Sequence, residues 1–427
     1  MLHDFRSSSI WRHRDLRLML PARTLSSFGD DVALVVLLLR VYDADLGPWS
    51  ITALLACAAV PLVVLAPLAG RLVDSVPFRS LAAATAVWQA LCCVALALGG
   101  PLWVTYGLVL LLQAGQVVAA PTWQALIPSI AKADEVGRAV SASQAMTTIA
   151  MVAAPAAAGI LVAAFGYSAP LLLDAATFVV LGAAGLAIRA SRDRGTTAES
   201  QAAPAEPDAS FSLRSDALLW PLIVGLCVFV LAGEVTNVVE VFLLRGALGA
   251  STAVFGLLGA VLAGGIVVGS LAGGRAASDA SRAVRAAAVA VVLALAILVA
   301  GLAPTVWLFA LAWLVLGLAN GVLNADVSTL LLSRAPEAVR GRVLANVTAL
   351  ARGSALGAMI LGGAAGSWLG PRGTFVAAGA VSAVVGIVLL VRIRRVLTGT
   401  ASAGEPAAVR YAHVSHESGH ENDDLGY

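Results

Sequence analysis

Apolar runs of roughly 18 to 27 residues, each about a bilayer long, follow one another along the whole chain. Short stretches rich in Arg, Asp, Gly and Pro separate them. No run alternates apolar and polar residues with the period of two that marks a half-buried strand, so the pattern predicts helices. A hydrocarbon core about 30 Å thick takes about 20 residues of helix at 1.5 Å each. The predicted spans are 16–42, 49–73, 80–99, 102–129, 138–164, 168–190, 216–245, 251–274, 282–301, 304–333, 341–368 and 371–395. The expected fold is all-α, a polytopic membrane protein of twelve transmembrane helices.

Composition agrees and narrows the class. Of the 427 residues 59% are hydrophobic and 12% charged, with a mean hydropathy of +0.90, so water is not the main solvent. The first run is too long for a cleaved signal and carries Arg23, Asp30 and Asp31, so it reads as a retained helix. The cysteines Cys57, Cys92, Cys93 and Cys227 all fall inside apolar runs without metal-ligand spacing, and read as small buried or lipid-facing residues. A net charge of +2 implies no nucleic acid.

The placement of the basic residues sets an orientation. Twenty-two of the 27 lie at the two ends or in the even-numbered connections; only Arg40, Arg245 and Arg372 lie in the odd ones, with Arg23 and Arg352 inside spans. Short cytoplasmic loops retain Lys and Arg, so both termini are expected in the cytoplasm, which demands an even number of spans.

Sliding the chain along itself by 204 residues brings Gly29-Asp30 onto Gly233-Glu234, Gly70-Arg71 onto Gly274-Arg275, Gln116 onto Asn320 and Gly137-Arg138 onto Gly341-Arg342. Trp103 meets Trp307, Gly159 meets Gly363 and Gly166 meets Gly370. This predicts a duplicated six-helix unit with a binding site at the interface of the copies. The halves are 1–190 and 216–395. The polar stretch 191–215 reads as a cytoplasmic linker, and 396–427, with His413, His416 and His420 near Asp423 and Asp424, as a disordered tail or a metal-binding one.

Ionisable groups inside spans are expensive and point to a cavity or to a partner helix. Arg23 and Asp30, seven residues apart, share a face of the first helix, about 10 Å apart along its axis. Glu234, the repeat partner of Asp30, lies one turn from Asn237 and near Glu240. Gln113 and Gln116 mark the fourth helix, and Asn320 and Asn324 share a face of the tenth. Asp326 and Arg352 lie at similar depths, which permits an ion pair. Each of these groups either ties helices together or serves transport; for Asp174 a structural contact is favoured.

The connection after the second span reads Gly70, Arg71, Leu72, Val73, Asp74, Ser75, Val76, Pro77, Phe78, Arg79. Its Gly70, Asp74 and Arg79 resemble the cytoplasmic signature loop of the major facilitator superfamily, with Ser75 in place of a basic residue and Phe78 in place of Gly. Ala22 to Asp30, Leu173 to Phe178 and Gly341-Arg342-Val343 are similar to the siderophore-exporter and macrolide-efflux branch, over roughly residues 14–395. Leu110 stands where the family often has the Arg linked to proton coupling, and Ala154, Pro155 and Gly159 replace its glycine series. The resemblance implies a bacterial cell-membrane transporter with helices 1, 4, 7 and 10 around a central cavity, and the acid of the loop beside the amino end of the eleventh helix on the same face suggests a latch of Gly70, Asp74, Arg79, Arg138 and Arg342.

The expected function is therefore secondary transport by alternating access: proton-coupled export of a hydrophobic or amphipathic small molecule, such as a drug or siderophore. Arg23, Asp30, Gln113, Gln116, Glu234, Asn237, Asn320, Asn324, Asp326 and Arg352 are its cavity or proton-coupling candidates, with Trp123 on an apolar wall. The expected partners are the substrate, a proton or other coupling ion and the lipid bilayer, around a monomer with no cofactor. An importer of the same fold is the nearest rival, and a non-transporting receptor or assembly protein a more distant one. No H-E-x-x-H or G-x-S-x-G arrangement speaks for an enzyme.

Overall fold

A computed structural model describes residues 9–132, 134–189, 218–273, 278–334 and 337–402, with side chains left aside at 337–346, 348, 352 and 399–402. Among these residues there are helices and no strand. A single 3-10 turn leads into α1 (Arg14–Tyr42), followed by α2 (Pro48–Val64), α3 (Ala66–Ser75), α4 (Phe78–Leu98), α5 (Leu102–Gln124), the short α6 (Ile127–Ile130), α7 (Val136–Phe165) and α8 (Ser168–Ala187). The second half has α9 (Leu219–Val241) ending in a π-helical turn (Phe242–Ala247), then α10 (Thr252–Gly273), α11 (Asp279–Leu302), α12 (Val306–Arg334) and α13 (Glu337–Ser402).

Nine of these helices are long and apolar enough to cross a membrane, or ten when α2 and α3 count as one span bent by 53°. Pro61 inside α2 and Pro67 at the start of α3 account for the bend, since a proline removes a backbone donor and its ring crowds the preceding turn. Arg23, Asp30, Asp31 and Arg40 keep α1 out of that count. Helix α13 enters it once, although Gly370, at φ 69° and ψ 172°, breaks it into two legs. Gly166, its partner in the 204-residue repeat, ends α7 at φ 73° and ψ −170°. An L-residue with a side chain resists both conformations, so the duplicated unit turns on glycine at the same place twice.

Small residues set the packing, as the composition leads one to expect in lipid. A Cβ on Gly265 of α10 would lie 3.1 Å from the Cα of Gly317 on α12, and one on Gly182 of α8 only 2.9 Å from the Cβ of Ala86 on α4. The halves approach each other in the same way: a Cβ on Gly256 of α10 would meet the Cα of Gly159 on α7 at 2.9 Å, and one on Gly363 of α13 would meet Trp49 at 2.9 Å. Thr52 donates to the carbonyl of Met359 across the same seam (3.1 Å). These contacts gather at the end of the bundle where α1 finishes and α2 begins, and they close that end.

The last helix continues through Ser402, beyond the predicted end at 395. Ile393 is buried, and Val396 and Leu397 pack on the core, so the apolar face persists for another turn and a half. The predicted linker at 191–215 and the tail histidines lie outside the described residues.

Candidate functional site

The polar groups of the amino-terminal half meet inside it. Gln116 of α5 donates from Nε2 to Oδ2 of Asp30 on α1 (3.1 Å) and accepts at Oε1 from Nε2 of Gln89 on α4 (2.9 Å). Gln89 is fully buried, and its own Oε1 has no donor among the described residues. Gly115 makes the approach of the two glutamines feasible, because a Cβ there would press on Cγ of Gln89 at 2.9 Å.

Glycine does the same work on the other side of Asp30. The carboxyl of Asp174, on α8, rests against Gly29; a Cβ at that position would be 3.2 Å from Cγ of Asp174 and 2.7 Å from Oγ1 of Thr177. Asp174 is fully buried and accepts from the thiol of Cys93 on α4 at 3.2 Å. Helices α5 and α8 therefore meet α1 at a Gly-Asp pair that the sequence already marked, and α4 backs both of them. The charges of Asp31 and Asp174 both bear on Asp30. Among the described residues no cation forms an ion pair with any of these three carboxyl groups.

The second half builds its counterpart differently. Asn237 donates to Glu234 (3.3 Å), and Asn324 donates to the carbonyl of Asn320 (2.9 Å), each bond staying within one helix. The repeat matches Gln116 to Asn320 but Gln89 to Leu293 and Asp174 to Ala378, so two of the polar groups around Asp30 have apolar counterparts in the second half. The duplication is thus symmetric in backbone and asymmetric in charge.

Asp326 is fully buried and pairs with Arg285 on α11, which donates from Nε to Oδ2 at 2.8 Å, reaches Oδ1 through Nη2, and also holds the carbonyl of Gly273. Arg285 sits nearly two turns inside α11, within the predicted span 282–301; the side chain of Arg352, and with it the Asp326–Arg352 pair, lies outside the described residues. Trp123, expected on a cavity wall, is 2% exposed and packs inside the amino-terminal half, edge-on to Phe78 with centroids 5.1 Å apart. Gly185 leaves the room for its ring.

Arg23 is half-buried and has no hydrogen-bond or ion-pair partner among the described residues, and Gln113 is not drawn into the Gln89–Gln116 chain. In the signature loop, Gly70 and Asp74 lie exposed on α3, and Arg79 at the start of α4 donates from Nε to the carbonyl of Ile188 (3.0 Å), tying α4 to the end of α8. Arg138 is exposed near the start of α7, and the side chain of Arg342 lies outside the described residues. At the same end of the bundle, His13 meets Glu135 at 2.7 Å, and the backbone N–H of Arg189 donates to Asp15.

At the closed end, Arg245 of the π-helical turn pairs with Asp43 (3.3 Å) and lies 5.4 Å over the ring of Tyr42, which meets Phe242 edge-on at 5.2 Å. Tyr167, between α7 and α8, donates its hydroxyl to Asp43. Burial, and then the carboxylate of Asp43, push the phenol up to about 12. Nothing in the sequence flagged this group, because Asp43, Tyr167 and Arg245 lie in three separate connections.

The family model described as Major Facilitator Superfamily matches residues 19–242 and 232–415. An uncharacterized MFS-type transporter, YfiS of Bacillus subtilis (strain 168), is 24% identical over 394 residues, 88% of this chain and 93% of that protein. Among solved structures, a bacterial homolog to the human lysosomal transporter Spinster, inward-facing and occupied, superposes with a TM-score of 0.68 at 14% identity, covering 90% of this chain and 96% of that one. A bacterial homologue of the iron transporter ferroportin, inward-facing, gives 0.67 at 15% identity over 90% and 100% of the two chains. The peptide transporter POT in complex with sulfate gives 0.68 at 15% identity over 90% and 94%. At such identities these likenesses establish the fold alone.

Proposed function

The chain belongs to the Major Facilitator Superfamily and is a membrane transporter rather than an enzyme, and on that footing we propose that it exports a hydrophobic or amphipathic small molecule, of the drug or siderophore kind, in exchange for protons. The reading takes α1, the bent pair α2 and α3, and both legs of α13 as spans, giving twelve crossings of the cell membrane with both termini in the cytoplasm. The Arg-rich face is then the inner one. The end closed by Thr52 and Met359 is the outer one, and the form described is shut to the outside.

The observation that carries the proposal is the chain from Asp30 through Gln116 to Gln89. An ionisable carboxyl deep among apolar helices is costly and marks a proton or ion pathway. Here it is tied to neutral amides instead of a cation. A glutamine amide offers both donor and acceptor, so by turning over Gln116 can serve Asp30 in either protonation state. The substrate site lies between the halves, where α1, α5, α9 and α12 carry Arg23, Asp30, Gln113, Gln116, Glu234, Asn237, Asn320 and Asn324. Gly70, Asp74, Arg79, Arg138 and Arg342 act as the inner latch.

The test is a comparison of Asp30→Asn and Glu234→Gln with wild type in proteoliposomes, using a panel of amphipathic compounds. Substrate counterflow needs no net proton movement; export driven by an imposed pH gradient does. The proposal expects Asp30→Asn to keep counterflow and lose gradient-driven export. Full gradient-driven export in both mutants defeats the coupling assignment.

A further inference from the structure

We propose that Asp174, not Asp30 alone, holds the exchangeable proton of the amino-terminal half, as a neutral acid with its proton on Oδ1. This rests on the proton-coupled reading above and names the group that reading leaves open. Thr177 has one hydroxyl proton, and its Oγ1 lies 2.7 Å from the backbone carbonyl of Asp174 and 3.2 Å from Oδ1 of the same residue. A helical threonine gives its proton to such a carbonyl, three or four residues back. With that proton spent, Oγ1 presents lone pairs to Oδ1, and two acceptors at this distance repel unless one carries a hydrogen. A proton on Oδ1 completes the set: Oδ1–H donates to Thr177, and Oδ2 accepts from the thiol of Cys93.

The surroundings favour the same assignment. Asp174 is fully buried. The titratable groups that face the pair are Asp31 from α1 and Cys92 and Cys93 from α4, while α5 offers only Gln116 and α7 none. None of them is a cation, so a charge on Asp174 would have no counter-ion among the described residues. A metal ion fits poorly. Asp30 Oδ2 and Asp174 Oδ2 face an N–H and an S–H, whereas a hard cation wants about six bare oxygens. Among the described residues no three His, Cys, Asp or Glu side chains converge as a metal site would require. Loss of that proton would leave Asp174 anionic, with Cys93 as the one side chain donating to it.

Infrared spectroscopy of the purified full-length protein reads this without any substrate. Wild type at neutral pH should show a carboxylic C=O band that Asp174→Asn abolishes. Thr177→Val, which removes the acceptor, and Cys93→Ala, which removes the donor, should each shift it, so the answer survives even if Asp174→Asn folds poorly. A band unchanged in Asp174→Asn, or unmoved in both Thr177→Val and Cys93→Ala, overturns the assignment. Gradient-driven export in the same preparations separates the two readings. Proton-driven export intact in Asp174→Asn sinks this site and leaves export standing; a band lost in Asp174→Asn from a protein that never couples to protons upholds the site and sinks the coupling.

Discussion

Arg245 reaches across the seam between the two halves to Asp43 at 3.3 Å while its guanidinium rests over Tyr42. Both side chains are partly exposed, so the ion pair itself contributes at most about 1 kcal/mol, and the ring contact adds about 0.5 to 1 kcal/mol. Arg245→Ala is expected to weaken the closure of that end by roughly fivefold to thirtyfold in population, as about 1 to 2 kcal/mol implies. Distances between spin labels on the α1–α2 and α9–α10 connections would show the end opening. Unchanged distance distributions would show that glycine packing alone holds it shut.

The phenol of Tyr167 gives the same closure a pH dependence. Its ordinary value is about 10, and in the folded protein burial and Asp43 push it up to about 12. The folded state keeps the proton longer, so its contribution is fully present below pH of about 10 and is lost as pH rises through about 12. Thermal stability should therefore fall in that window, and Tyr167→Phe should flatten the fall. A wild-type profile no steeper than that of Tyr167→Phe would contradict the sign.

Arg285 and Asp326 yield a contrast between single and double substitutions. Asp326 is fully buried, whereas Arg285 is 30% exposed at its side chain and also holds the carbonyl of Gly273. Removing one partner of a buried pair costs about 3 to 5 kcal/mol, and partial exposure of the arginine places Arg285→Ala at the lower end. Arg285→Met with Asp326→Leu leaves no stranded charge and should recover most of the loss. Melting temperatures of the three variants in one detergent decide it; a double variant no better than Arg285→Ala would mean that the pair acts through more than its charge.

What the sequence made legible follows from period and repetition. Apolar runs a bilayer long place the helices, and the 204-residue offset finds Gly166 and Gly370, which turn alike, and Asp30, which proves to be a hub. Contacts between helices far apart in the chain carry no such periodic mark. Gln89 and Cys93 lie within an apolar run, and only the arrival of Gly115 and of Asp174 beside them shows what they do. Depth along a helix axis matched Asp326 to Arg352 but could not show that Arg285 of the neighbouring α11 faces it. Trp123 was expected on an apolar cavity wall, whereas the space beside Gly185 and the ring of Phe78 hold it inside the amino-terminal half.

Asp74 occupies the next-to-last position of α3, where the helix's own carbonyl ends make a carboxylate unwelcome. An acid kept there at local cost implies a positive partner elsewhere, and the amino end of α13 begins at Glu337. As part of the proposed inner latch, Asp74 would hold the halves together on the cytoplasmic face whenever the site opens outward. Interactions of a carboxylate with a helix amino terminus amount to about 0.3 to 1 kcal/mol, so Asp74→Asn should shift the equilibrium by roughly twofold to fivefold. Expression and melting temperature should stay near wild type, because the residue is exposed, while turnover slows. Arg79→Lys supplies the comparison: the lysine loses the Nε donor to Ile188 but keeps the charge, so it should lower stability more than rate. Wild-type turnover in Asp74→Asn would remove this residue from the latch.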